Sequence, residues 1–101
     1  MVPEDFNFGR GQVVYWDIEN LDQTIPLLKQ LNFLKEDLIQ VRFDKNTLVD
    51  VGWYPEFSAN GAFTVTVIRD ENWDEPLHRI KAESIQALYS AIEEGVRVAV
   101  A

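Results

Sequence analysis

The chain has 101 residues, no cysteine and a formal charge of −8 from 17 acids against 9 bases, which describes one acidic domain without disulfides, thiolate metal sites or thiol nucleophiles. That charge repels phosphate backbones and disfavours nucleic acid, whereas a basic protein partner suits it. A hydrophobic content of 47% with three Trp, three Tyr and six Phe supplies a core. No apolar run approaches the roughly 18–20 residues of a membrane span, and the first eight residues lack the basic start and apolar stretch of a signal peptide, so a soluble cytoplasmic protein is expected.

Residues 1–11, with Pro3, Gly9 and Gly11, read as an irregular N-terminal arm whose Phe6 and Phe8 dock on the body, and residues 12–101 read as a single domain. Residues 12–18 are β-branched and aromatic and predict a first strand. Asp22 or Thr24 as cap, Pro26 in the first turn and Leu27, Leu28 and Leu31 on one face predict a helix over about 22–33. Residues 35–37 read as a turn. Ile39, Val41 and Phe43 then alternate with Gln40 and Arg42 in a strand that ends at the hairpin turn Asp44-Lys45-Asn46.

In the next strand Thr47, Val49, Val51 and Trp53 share one face, and Leu48, Asp50 and Tyr54 the other. Gly52 leaves room for a bulge or a close neighbour. Pro55 stops the ladder, and Asn60-Gly61 is expected to supply positive φ for the return. Phe63-Thr64-Val65-Thr66-Val67-Ile68 is the clearest strand, and residues 77–81 predict a short one. Ile85, Leu88, Tyr89 and Ile92 have helical spacing, with Gly95 expected to end that helix. Val96, Val98 and Val100 alternate with Arg97 and Ala99, which suits an edge strand or a trailing tail. The order predicts an α+β two-layer sandwich, a mostly antiparallel sheet of about five strands with two helices on one face.

Few residues suggest chemistry. His78 is the single histidine and reads as a surface or strand-edge residue, and Ser58, Ser84 and Ser90 do not lie in a glycine-flanked elbow. Gly9-Arg10-Gly11 precedes the first strand and cannot place helix amides on a phosphate. No catalytic residue, metal ligand or cofactor is assigned. Tyr15-Trp16-Asp17-Ile18-Glu19-Asn20 resembles the first acidic motif of the NYN and PIN-like nucleases, over residues 12–31. This resemblance implies a Mg²⁺-dependent nuclease with Asp17 as a ligand, although the family's later serine and paired aspartates have no counterpart here.

Over residues 48–98, the succession Asp50-Val51-Gly52-Trp53-Tyr54-Pro55-Glu56, the strand at 63–68, Trp73, Pro76-Leu77 and the helix from Ser84 resembles small acidic bacterial immunity proteins of polymorphic toxin systems. The resemblance implies a non-catalytic inhibitor that occludes a basic partner. In such a protein Asp50, Glu56, Asp74 and Glu75 steer the encounter, and Trp53, Tyr54 and Trp73 anchor it. The alternative for the rings is structural: Trp53 facing inward with Val49 and Val51, and Trp73 covering a sheet edge. A third function is that of a structural or oligomeric accessory domain, whose sheet edge near residues 96–100 pairs with a copy of itself.

Overall fold

Five strands form, β1 (Gln12–Trp16), rich in β-branched and aromatic residues, then β2 (Ile39–Phe43), β3 (Thr47–Tyr54), β4 (Ala62–Arg69) and β5 (His78–Ala82), in which apolar residues recur with period two, and they are followed by one helix, α1 (Ile85–Val100). The structure, a computed structural model, describes residues 6–101, so the first five residues of the expected arm lie outside the described residues. The strands join in chain order into one antiparallel sheet. Each neighbour follows its predecessor in sequence, with short connections after β2, β3 and β4 and a long one, residues 17–38, between β1 and β2. Between β2 and β3 the expected turn forms with Lys45 and Asn46 both at positive φ, 61° and 52°, the backbone that matches the twist of a tight hairpin.

Register decides which side chains share a face. Val49 lies between Val41 and Val67, Val51 between Ile39 and Val65, and Trp53 beside Phe63. Directly opposed residues point the same way, so these build one apolar face, and α1 packs against β3, β4 and β5 on it. The helix buries Leu88, Ala91, Ile92, Gly95 and Ala99, a spacing close to 3.6 residues. Its start is set by Ser84, whose hydroxyl accepts from the Ala87 N–H at 3.1 Å, a cap that contributes about 1 kcal/mol.

The expected end of this helix is wrong. Gly95 sits in the interior of α1, and a Cβ there would come within 3.0 Å of Val65 Cγ1. It is a point of close approach to the sheet, not a terminating residue. The tail from Val96 is helical to Val100, burying Ala99 and half-burying Val96 and Val98 against the core. The strand preference of valine is a few tenths of a kcal/mol per residue, which packing of this kind outweighs. No sheet edge exists at residues 96–100; the edges are β1 and β5.

The other expected helix, over 22–33, is absent. Two separate 3₁₀ turns, Leu27–Lys29 and Leu31–Phe33, stand there instead, so among the described residues one α-helix covers the sheet and not two. Pro26 has no N–H to offer the Asp22 carbonyl, as a continuing α-helix would require. The buried Gln30 side chain supplies the missing bonds. Its Nε2 donates to the carbonyls of Asp22 at 2.7 Å and Ile25 at 2.9 Å, and its Oε1 accepts from the Asp22 N–H at 2.8 Å. The residues before β2 still feed the core through Phe8, Ile18, Leu21, Leu34 and Leu38, which replaces the second helix with packed irregular chain. Phe8 and Phe6 do dock, Phe8 edge-on to Trp16 and Phe6 stacked on Tyr89.

Gly52 and Gly61 are also fixed by close approach. At Gly52 a Cβ would collide with the Glu36 carbonyl, and at Gly61 with the Trp53 indole nitrogen. The positive φ expected at Asn60-Gly61 falls instead on Phe57, at 60°. Among the described residues no helix is long and apolar enough to cross a membrane.

Candidate functional site

The seven residues expected to form one contact surface do not meet. Thr47 opposes Arg69 at one end of the β3–β4 ladder, and Tyr54 opposes Ala62 at the other. At about 3.3 Å per residue these ends are some 20–25 Å apart. Tyr54 and Glu56 therefore lie at one end of the sheet, Trp73, Asp74 and Glu75 in the β4–β5 loop at the other, and Asp50 in mid-strand.

Trp53 belongs to the core. It is 2% exposed, lies edge-on to Phe63 with ring centroids 5.0 Å apart, and donates its indole N–H to the Ser58 carbonyl at 2.9 Å. Asp50 is 1% exposed on the face away from α1. Its carboxylate accepts from Gln40 Nε2 at 3.0 Å and from the Tyr54 hydroxyl at 3.5 Å. Burial disfavours the charged form and, with a smaller push from Asp37, raises the Asp50 pKa to about 6. Such a group is a poor electrostatic guide. Tyr54 follows Asp50 by four residues on the same face, and burial with the neighbouring acids pushes its phenol up to about 12. Glu56 is exposed and accepts from the Glu36 N–H at 3.2 Å, which braces the loop after β3.

The β4–β5 loop is different. Asp70 and Glu71 adopt left-handed conformations, φ 57° and 59°, and every residue from 70 to 75 is exposed. Backbone bonds define its path, from Asp70 N–H to the Asn46 carbonyl at 2.9 Å, Trp73 N–H to Glu71 at 3.1 Å and Leu77 N–H to Val67 at 2.8 Å. Trp73 is 46% exposed, with Asp70, Glu71, Asp74 and Glu75 beside it in sequence. Asp70 and Glu71 were not among the expected contact residues, although the sequence shows them three and two positions before Trp73.

A cleft elsewhere on the molecule is not among the sequence expectations. At the Trp53 end, the first 3₁₀ turn, the β3–β4 loop and the start of α1 enclose an open cleft of about 950 Å³, with Ile25, Leu28, Ile85 and Tyr89 on its walls and Glu83 at its rim. Ile25 and Leu28 are exposed. The helical wheel places Leu28 with Leu27 and Leu31 on a core face, and the loss of that helix releases it. Pro26, four residues after Asp22, is the signal in the sequence that an α-helix starting there would lack a bond.

Asp17 is engaged by Lys35, whose Nζ stands 2.8 Å from Oδ2, and by the Tyr15 hydroxyl at 3.4 Å. The hydrogen bond and charge of Asp17 raise the Lys35 pKa. Among the described residues no group of three or more His, Cys, Asp or Glu is arranged to hold a metal ion. His78 lies on the edge strand β5, its Nε2 3.7 Å from a Glu94 carboxylate oxygen of α1. In comparisons by sequence and by structure, no protein-family model, no curated protein and no solved structure matches this chain.

Proposed function

We propose that this protein is a non-catalytic binding domain, an immunity-like inhibitor that recognises a basic protein partner through its β4–β5 loop. The observation that carries the reading is Trp73, 46% exposed within a loop whose Asp70, Glu71, Asp74 and Glu75 are also exposed. An indole is a large amphipathic surface that association removes from water, and flanking carboxylates speed the encounter with a cationic partner. The backbone bonds across the loop reduce what must be ordered on binding, a cost that otherwise subtracts from affinity.

Of the residues expected from sequence, Trp73, Asp74 and Glu75 stay in this surface, and Asp70 and Glu71 join it. Asp50 and Trp53 serve the fold, and Tyr54 and Glu56 stand at the far end. The test is selection of randomised displayed peptides on the native protein. The expected ligands pair Lys or Arg with an apolar residue, bind more slowly as salt rises, and lose about 30-fold or more in affinity on Trp73→Ala, the effect of losing a central aromatic anchor. Ligands that are neutral or acidic, or that bind Trp73→Ala equally well, would end this reading.

A further inference from the structure

The two edges of the sheet are built in opposite ways. β5 carries His78, Arg79 and Lys81, and charge along an edge strand is a common guard against addition of another strand. β1 reads Gln12-Val13-Val14-Tyr15-Trp16 and has no Lys, Arg, Asp or Glu. Val13, Val14 and Tyr15 are 40%, 46% and 40% exposed, and among the described residues no strand lies outside β1. A bulge between Val13 and Tyr15 leaves Val14 without a partner in β2. The bulge increases local twist, but it introduces no charge.

Charge returns just beyond both ends of this strand, with opposite signs. Arg10 precedes it, its side chain 85% exposed and reaching Asp44 only at 3.9 Å. Glu19, exposed, and Asp17, already paired with Lys35, follow it. We infer that two copies of this chain pair through antiparallel β1 edges, continuing one sheet into the other about a two-fold axis at Val14. Gln12 of each copy then faces Trp16 of the other, and Arg10 arrives beside the other copy's Asp17 and Glu19. The two-fold axis makes that attraction twice. A parallel arrangement would set Arg10 against Arg10 and Glu19 against Glu19.

The net charge of −8 repels a second copy from most approaches, and the uncharged strip with its own positive and negative ends is the approach that escapes this. A strand of five residues buries little area, so the dimer belongs to the weak, concentration-dependent class. β1 and the β4–β5 loop lie toward opposite edges of the sheet, so the pairing leaves Trp73 free and stands independently of the function proposed above.

The test is sedimentation equilibrium of the full chain over a wide concentration range, with hydrogen exchange of the amides of residues 12–16. The wild-type chain should pass from monomer to dimer while those amides become protected. Val14→Lys, at an exposed position, should stay monomeric with an unchanged circular-dichroism melt. Arg10→Glu, which leaves the strand itself intact, should weaken dimerisation about tenfold or more. Mixing Arg10→Glu with Glu19→Lys should restore a heterodimer. A monomer at every concentration would overturn the inference, as would a dimer unaffected by these variants. Binding of extended peptides to β1 by a chain that never self-associates would reject a second copy as the occupant.

Discussion

Strands β3 and β4 are buried on both sides, yet the two sides exclude water by different means. On the side toward α1, Val49, Val51, Trp53, Phe63, Val65 and Val67 form an apolar layer under the helix. On the other side the buried Ile68 is joined by Asp50, Thr64 and Thr66, all buried and all polar, with Gly52 under the Glu36 carbonyl. The first layer is held by shape and by area removed from water, which vary little with pH. The second contains a carboxyl group whose pKa burial raises to about 6. One strand pair thus carries an unconditional core and a conditional one back to back.

Removing a large ring from the helix side should give the largest effect. Phe63 is fully buried against Trp53, and Phe63→Ala should lower unfolding free energy by about 3–5 kcal/mol at any pH, read from urea denaturation.

On the far side the sign reverses. Asp50 has a folded pKa of about 6 against 3.8 for the free side chain, so the native state holds this proton more tightly than the unfolded chain. Its stabilising contribution is complete below about pH 3.8 and is lost as pH rises through about 6, a swing of about 3 kcal/mol. Asp50→Asn, which keeps the shape and carries no charge, should therefore be more stable than wild type by about 1–3 kcal/mol at pH 8 and nearly equal to it at pH 4. Equal stability at pH 8 would mean that the carboxylate is solvated after all.

Smaller changes sharpen the contrast. Ser84→Ala removes the cap of α1 and should cost about 1 kcal/mol without altering the pH dependence, because it touches only the helix side. Tyr54→Phe deletes the long hydrogen bond to Asp50, 3.5 Å, and should cost less than about 1 kcal/mol. That bond favours the ionised carboxyl, so its loss should move the Asp50 titration, followed by carboxyl carbon NMR, further upward.

Where a local rule and the tertiary demand agree, the fold was legible. β2 alternates cleanly, its hairpin turn holds Asn46, a residue tolerant of positive φ, and β3 and β4 match in length and pattern, so each was readable to within about a residue. The start of α1 was legible because Ser84 precedes a stretch of helical period. The helix expected at 22–33 failed because leucine spacing carries no information about how Asp22 and Ile25 satisfy their carbonyls, and Gln30 answers that from eight and five residues away. Gly95 looked like a stop because a glycine's two uses, left-handed backbone and close approach, are written with the same letter.

The candidate surface was legible only in part. Trp73 in an acidic loop could be read as exposed from its polar neighbours, whereas Trp53 beside Asp50 looked the same on paper and lies in the core. Strand alternation places Trp53 on the face of Val49 and Val51, but which face a helix covers is settled by packing. From the residues alone came the acidic charge, the antiparallel meander and the apolar stripe of its helix, since charge, strand alternation and helical period are local properties. Tertiary structure decided that Asp50 is buried, that Leu28 and Ile25 are exposed, and that the expected contact residues stand at opposite ends of a ladder. Distance and burial depend on how elements lie against one another, and no short stretch of chain contains that information.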